Sequence, residues 1–222
     1  MGRSNQGRQL GFSVTELMIV IVVMLVIAAF TIPNFLSALH AARLRGAGAD
    51  FSGLLQVARI RAVDDDRYYS VYLLPAAGSN PQEAFVDIYP QNVNGASGTG
   101  GTSWTAGDPL VLVSSEITQQ PVASAPNTAN LQQQLLPAGS PIIPLDGSAA
   151  ATPATFSPRG LPCAPKAVTG GTVCDSLAGP VAYWTFFQSN ITQSWEAITV
   201  TPAGRIQKWY YTGGSAGTWN RL

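Results

Sequence analysis

The chain is short of charge: Asp, Glu, Lys and Arg make up 11% of its 222 residues, twelve acidic against twelve basic. A formal net charge of zero gives no bulk electrostatic reason to expect a polyanion-binding protein. Histidine occurs once, as His40, and cysteine twice, as Cys163 and Cys174. Two thiols and one distant imidazole are too few ligands for a structural zinc site. The sequence contains no Gly-x-Ser-x-Gly elbow, no paired histidines and no Walker loop. An enzyme is therefore not expected, and neither is a cofactor or a metal. The cysteines lie in a Gly/Pro-rich stretch, where a disulfide in an oxidising compartment is a simpler reading than two free thiols. Closing that loop of about a dozen residues would be worth roughly 3 kcal/mol on the chain-entropy model.

What the chain does have is apolar residues, 46% of the total, with many concentrated near the N-terminus. Residues 1–11, MGRSNQGRQLG, are polar, carry Arg3 and Arg8 but no acid, and end in Gly11. Residues 17–39 then run for 23 positions without a charge, long enough as a helix to cross a hydrocarbon core of about 30 Å. Arginines before the segment and the body of the chain after it fit the positive-inside tendency. A secretory signal would have a shorter apolar core and a small-residue cleavage site, and here the run continues past Ala28-Ala29 through Ile32, Phe35 and Leu36. An ordinary single-pass anchor explains the length. It leaves Glu16 unexplained, because a carboxylate at the edge of an apolar span is costly unless it finds a partner.

The run Gly11-Phe12-Ser13-Val14-Thr15-Glu16-Leu17-Met18-Ile19-Val20 resembles the type III signal of prepilins and pseudopilins, the type IV pilin-like family. The resemblance implies that a prepilin peptidase cuts between Gly11 and Phe12 on the cytoplasmic side and methylates the new amine of Phe12. Glu16 then becomes the fifth mature residue. Pro33 falls at the twenty-second, where many members of the family carry a helix-bending proline. Removing residues 1–11 would leave ten basic side chains against twelve acidic ones, a mildly acidic mature chain. In a bundle of such helices the Glu16 carboxylate can meet the Phe12 amine of a neighbouring subunit. Two charges that are costly alone then compensate each other in a low dielectric, and the pair fixes axial register.

Helical patterning continues past the apolar run: Leu44, Gly48, Phe51, Leu55, Ala58 and Ala62 fall on one stripe at spacings of three and four. Pro33 removes one backbone donor and is expected to kink or loosen the helix. Asp64-Asp65-Asp66 ends it. Three adjacent carboxylates invite a calcium reading, but consecutive positions do not converge on one ion without help. Strand-like stretches follow at 68–74, 84–89, 109–114, 154–157, 181–188, 196–201 and 205–211, separated by Gly/Pro/Asn turns. One long helix followed by strands predicts an α+β chain with the helix laid across an antiparallel sheet. Residues 91–108 and 115–140 are polar, repetitive in Gly, Thr, Gln, Ala and Pro, and read as long surface insertions, the first anchored by Trp104. The expected organisation is a leader at 1–11, a transmembrane or filament-core helix at 12–39, and a periplasmic pilin-like domain at 40–222.

Thr155-Phe156-Ser157-Pro158-Arg159-Gly160-Leu161, Ile198-Thr199-Val200-Thr201-Pro202-Ala203-Gly204-Arg205-Ile206 and residues 54–72 resemble the GspH/FimT branch of that family. The branch implies a minor pseudopilin of a type II secretion system, a structural subunit of the pseudopilus that helps expel folded proteins. Its alternative is a FimT-like minor type IV pilin that binds DNA through a basic Gly-Arg-x-Arg turn. Here that turn reads Gly204-Arg205-Ile206-Gln207-Lys208, leaving Arg205 and Lys208 as the DNA-binding candidates. Positions 205 and 207 share one strand face and 208 the other, which weakens the paired basic face. Implied partners are other pilin subunits, the prepilin peptidase, the inner-membrane assembly platform and the inner membrane itself. The implied location is a single-pass inner-membrane protein that enters a pseudopilus or pilus.

Overall fold

The computed structural model describes residues 13–74, 82–89, 108–135, 142–145, 153–168, 171–175, 179, 181–214 and 217–222. Gly11, Phe12, Trp104 and nearly all of the first expected insertion lie outside the described residues. The chain forms two compact units, Met1–Leu39 and His40–Leu222.

A single helix, α1, spans Val14–Asp64. Its end is built by the aspartate run. Asp66 takes a left-handed conformation at φ 51°, and the Arg67 amide donates back to the Ala62 carbonyl at 3.2 Å. That six-to-one bond satisfies one of the helix's last carbonyls, with an aspartate in the position usually given to glycine.

The strands follow as β1 (Tyr69–Leu74), β2 (Gln82–Ile88), β3 (Leu110–Val113), β4 (Ile117–Gln120), β5 (Ile142–Pro144) and β6 (Ala154–Phe156). Next come β7 (Pro165–Val168), β8 (Gly171–Cys174), β9 (Ala182–Ser189), β10 (Trp195–Val200), β11 (Ile206–Thr212) and β12 (Thr218–Arg221). A 3-10 turn at Val122–Ser124 and a second helix, α2 (Thr128–Leu135), sit between β4 and β5. One sheet runs β3-β2-β1-β6, and a larger one runs β12-β11-β10-β9-β4, with β5 parallel to β9 along the same edge as β4. The β7–β8 pair forms a separate hairpin.

The stripe read from the sequence is the buried face of the helix. Leu44, Gly48, Phe51, Leu55, Ala58 and Ala62 are all buried, and they pack with Val71, Ala84 and Val86 of the smaller sheet and Tyr183, Phe187, Ile198 and Val200 of the larger. The Phe51 and Phe187 rings meet edge to face at 5.5 Å. This is the α+β architecture expected from the sequence, with two corrections. Residues 115–140 are not simply a surface loop, because β4 and α2 fall within them. Nor is α1 followed only by strands. Leu131 and Leu135, four residues apart on α2, bury against Ala182, Trp184, Phe186, Ala197, Trp209 and Trp219. The larger sheet is thus covered on both faces, and β9 is buried at seven of its eight positions as a consequence.

Candidate functional site

Three features gather the residues that the sequence singled out. The first is the apolar half of α1. Its most apolar 18-residue window has a mean hydropathy of 2.7 and no buried residue, so among the described residues one helix is long and apolar enough to cross a membrane. Side chains such as Ile19, Met24, Leu25, Ile27, Phe30 and Phe35 are each at least 60% exposed, which leaves this surface requiring lipid or protein around it. Glu16 lies in the first turn, where a carboxylate complements the helix dipole, and its amide is capped by Ser13 Oγ at 3.2 Å. Helical structure runs unbroken through Pro33. Around it, Thr31 Oγ1 donates to the Ile27 carbonyl at 2.8 Å, Asn34 Nδ2 to Phe30 at 3.1 Å and Ser37 Oγ to Asn34 at 2.9 Å. Such side-chain bonds are typical where a proline removes a backbone donor from an apolar helix.

The second feature begins at His40, the chain's one histidine, which pairs within its own chain. Its Nδ1 lies 3.2 Å from Glu116 Oε2, and Arg43 Nη1 donates to Glu116 Oε1 at 2.5 Å. The clamp ties α1 to the residue just before β4. The Arg43 hydrogen bond, helped by His40, holds the Glu116 carboxyl below its ordinary range.

The third is a pair of stacked turns at the end of α1. Gly160 and Gly204 both adopt positive φ, 69° and 74°, and a Cβ on Gly204 would lie 2.9 Å from the Gly160 carbonyl oxygen. Arg59 reaches across from α1 and donates to the Gly204 carbonyl at 2.9 Å. Contact between the turns brings Arg159 and Arg205 onto neighbouring loops beside Arg59. Both are exposed, and neither forms an ion pair among the described residues. Lys208 is placed elsewhere. It pairs with Ile198 across the β10–β11 ladder, on the sheet face that meets α1, and its charge acts on Glu196. The structure thus places Arg159 and Arg59 next to the turn that carries Arg205, and Lys208 on the strand face turned to α1. Sequence reasoning missed Arg159 because only the turn-to-turn contact makes Arg159 and Arg205, 46 positions apart, into neighbours.

Cys163 and Cys174 form a disulfide with a Cα separation of 5.3 Å, closing the base of the β7–β8 hairpin. Tyr183 anchors that base from the core, its hydroxyl donating to the Cys163 carbonyl at 2.6 Å.

No protein-family model matches the chain, and no curated protein matches it. Among solved structures, the chain resembles the type IV minor pilin FimU of Pseudomonas aeruginosa strain PAO1. Sequence identity is 16% and the TM-score 0.42, with 80% of this chain and 93% of that one covered.

Proposed function

We propose that this chain is a type IV pilin-like structural subunit that enters a filament through α1, and that it serves as a minor pseudopilin of a type II secretion pseudopilus. One observation carries the reading: a helix whose most apolar window has no buried residue and whose first turn bears one acid, Glu16, the fifth residue after the Gly11-Phe12 junction. An apolar helix in lipid gains nothing from a carboxylate at its edge, whereas a bundle of such helices gains register from it. In this reading a prepilin peptidase cuts between Gly11 and Phe12 and methylates Phe12. An inner-membrane platform then moves the subunit from the inner membrane into the filament, with Pro33 relaxing the helix on the way. The GspH/FimT resemblance of the C-terminal strands supports the minor role. The disulfide fits a periplasmic body. The test is incorporation of Glu16→Ala into sheared filaments. The variant should insert into the membrane as well as the wild type yet be depleted from filaments, and normal incorporation would defeat the reading.

A second reading, a FimT-like minor pilin that binds DNA, is favoured by the arginines at the stacked turns. Two exposed arginines, Arg159 and Arg205, with no acid paired to them among the described residues, give touching turns a positive character suited to phosphates. Double-stranded DNA binding should then weaken with salt and fall in Arg159→Ala plus Arg205→Ala, while Lys208→Ala has little effect. No binding at low salt leaves the secretion pseudopilin.

A further inference from the structure

One ionisable side chain has no place in either reading. Glu196 lies in β10 on the face turned to α1, between Phe187 of β9 and Tyr210 of β11 in the ladder. It is 1% exposed, and neither carboxyl oxygen has a hydrogen-bond partner among the described residues. Its carboxyl fits against α1 because position 48 is glycine: a Cβ there would overlap Oε1 and lie 2.5 Å from Cδ. The helix is notched where the carboxyl sits.

We propose that Glu196 is a proton-operated latch between α1 and the larger sheet. Protonated, it lies in the notch at Gly48; ionised, it turns toward Lys208 and Arg45 and loosens that stretch of helix from the sheet.

A buried carboxyl without hydrogen bonds is stable only when neutral, since an isolated charge in an apolar interior loses its hydration without replacement. The groups that face it have unequal claims. Arg45 approaches from α1 and Lys208 from β11, and both favour the ionised form. Tyr210 and Phe187, its ladder partners, bring aromatic rings rather than a cation to it. On the same helix, His40 and Arg43 are already paired with Glu116. Burial outweighs the two cations and pushes the Glu196 carboxyl up to about 7, so it changes charge near neutrality. The ionised group cannot stay in the notch without a partner. The half-exposed Lys208 and the exposed Arg45 give it a destination at the edge of the helix–sheet seam.

The sign follows from linkage. A carboxyl that ionises near 4.5 when exposed and near 7 when buried leaves the closed state fully favoured below about pH 4.5. Opening then becomes easier as pH rises toward 7 and above. Between about pH 6 and pH 8 the opening equilibrium should increase about tenfold if the carboxyl is solvated in the open form.

The test uses the full chain in detergent micelles with 13C-labelled glutamate. The Glu196 carboxyl should titrate near neutrality. Amide protection over residues 47–51 and 196–198, corrected for intrinsic exchange, should fall about tenfold between about pH 6 and pH 8. Glu196→Gln should abolish that fall, and Lys208→Met should move the titration to higher pH. A Glu196 midpoint in the ordinary carboxylate range would overturn the proposal. So would equal pH dependence of protection in wild type and Glu196→Gln. Should Glu196→Gln fail to fold, the wild-type titration and Lys208→Met decide alone: a Lys208→Met midpoint equal to the wild type's counts against the latch.

Discussion

A methyl group at Gly48 probes the helix–sheet seam more directly than any large truncation. Alanine is favoured over glycine in a helix interior by about 1 kcal/mol, so Gly→Ala on an open helix surface should stabilise. Gly46 and Gly53, on the same helix, have no atom within 4 Å of an added Cβ and should behave that way. Gly48 should do the reverse. Its added Cβ would overlap Glu196 Oε1 and approach Oε2 to 2.9 Å, so the carboxyl can avoid it only by giving up its buried seat in the notch for the edge of the seam near Lys208 and Arg45. Overpacking of this kind costs about 1–3 kcal/mol, enough to cancel the propensity gain and leave a net loss. In a Glu196→Ala background the obstruction is gone, and Gly48→Ala should become neutral or stabilising. The coupling between the two substitutions should therefore be about 1–3 kcal/mol and favourable. Urea unfolding of the full chain in mild detergent, followed by tryptophan fluorescence, measures all four corners of the cycle. Additive effects, or a stabilising Gly48→Ala on its own, would refute the notch.

Three further outcomes follow from the packing and the charges. Leu131→Ala should destabilise by about 2–5 kcal/mol, because Leu131 is fully buried between α2 and the larger sheet; a loss under about 0.5 kcal/mol in urea unfolding would return α2 to a surface loop. Cys163→Ser should cost roughly 3 kcal/mol under oxidising conditions and nothing once the wild type is reduced, read from midpoints with and without reductant. The Glu116 clamp should contribute stability above about pH 4.5 and lose it as pH falls through the lowered value, since its folded carboxyl is the stronger acid. Acid unfolding of Glu116→Gln should show a correspondingly flatter profile, and an unchanged profile would dismiss the clamp.

The parts of the fold that the sequence disclosed share a physical cause. The α1 stripe was legible because one helix face meets a continuous core, so its apolar and small residues recur at three and four. The strands β1, β2, β3, β6, β9, β10 and β11 were legible as β-branched and aromatic runs between Gly, Pro and Asn turns. What stayed hidden is held by context. The strand β4 reads Ile-Thr-Gln-Gln and α2 reads Thr-Ala-Asn-Leu-Gln-Gln-Gln-Leu, stretches whose composition argues for solvent. Their order comes from docking on a sheet already made, with Gln119 bonded to Gln82 and Leu145, and Leu131 against the sheet. Tertiary contact overrides weak local preference at such places. The β7–β8 hairpin likewise is closed by its disulfide rather than by pattern.

The site divides along the same line. Glu16 and the apolar helix are local features and were visible as such. The arginine pair at the stacked turns was not, because Arg159 and Arg205 become neighbours only when Gly160 and Gly204 touch. Glu196 was hidden for a different reason: a lone acid in a strand gives no sign of which face it will take until the helix covers it.

The most direct measurement is the intact mass of the chain recovered from sheared filaments of cells that carry the peptidase and the assembly platform. A filament subunit should appear there beginning at Phe12, shortened by residues 1–11 and one methyl group heavier at its N-terminus. A chain that keeps residues 1–11 and stays in the membrane fraction, with none in filaments, would contradict its role as an assembling subunit.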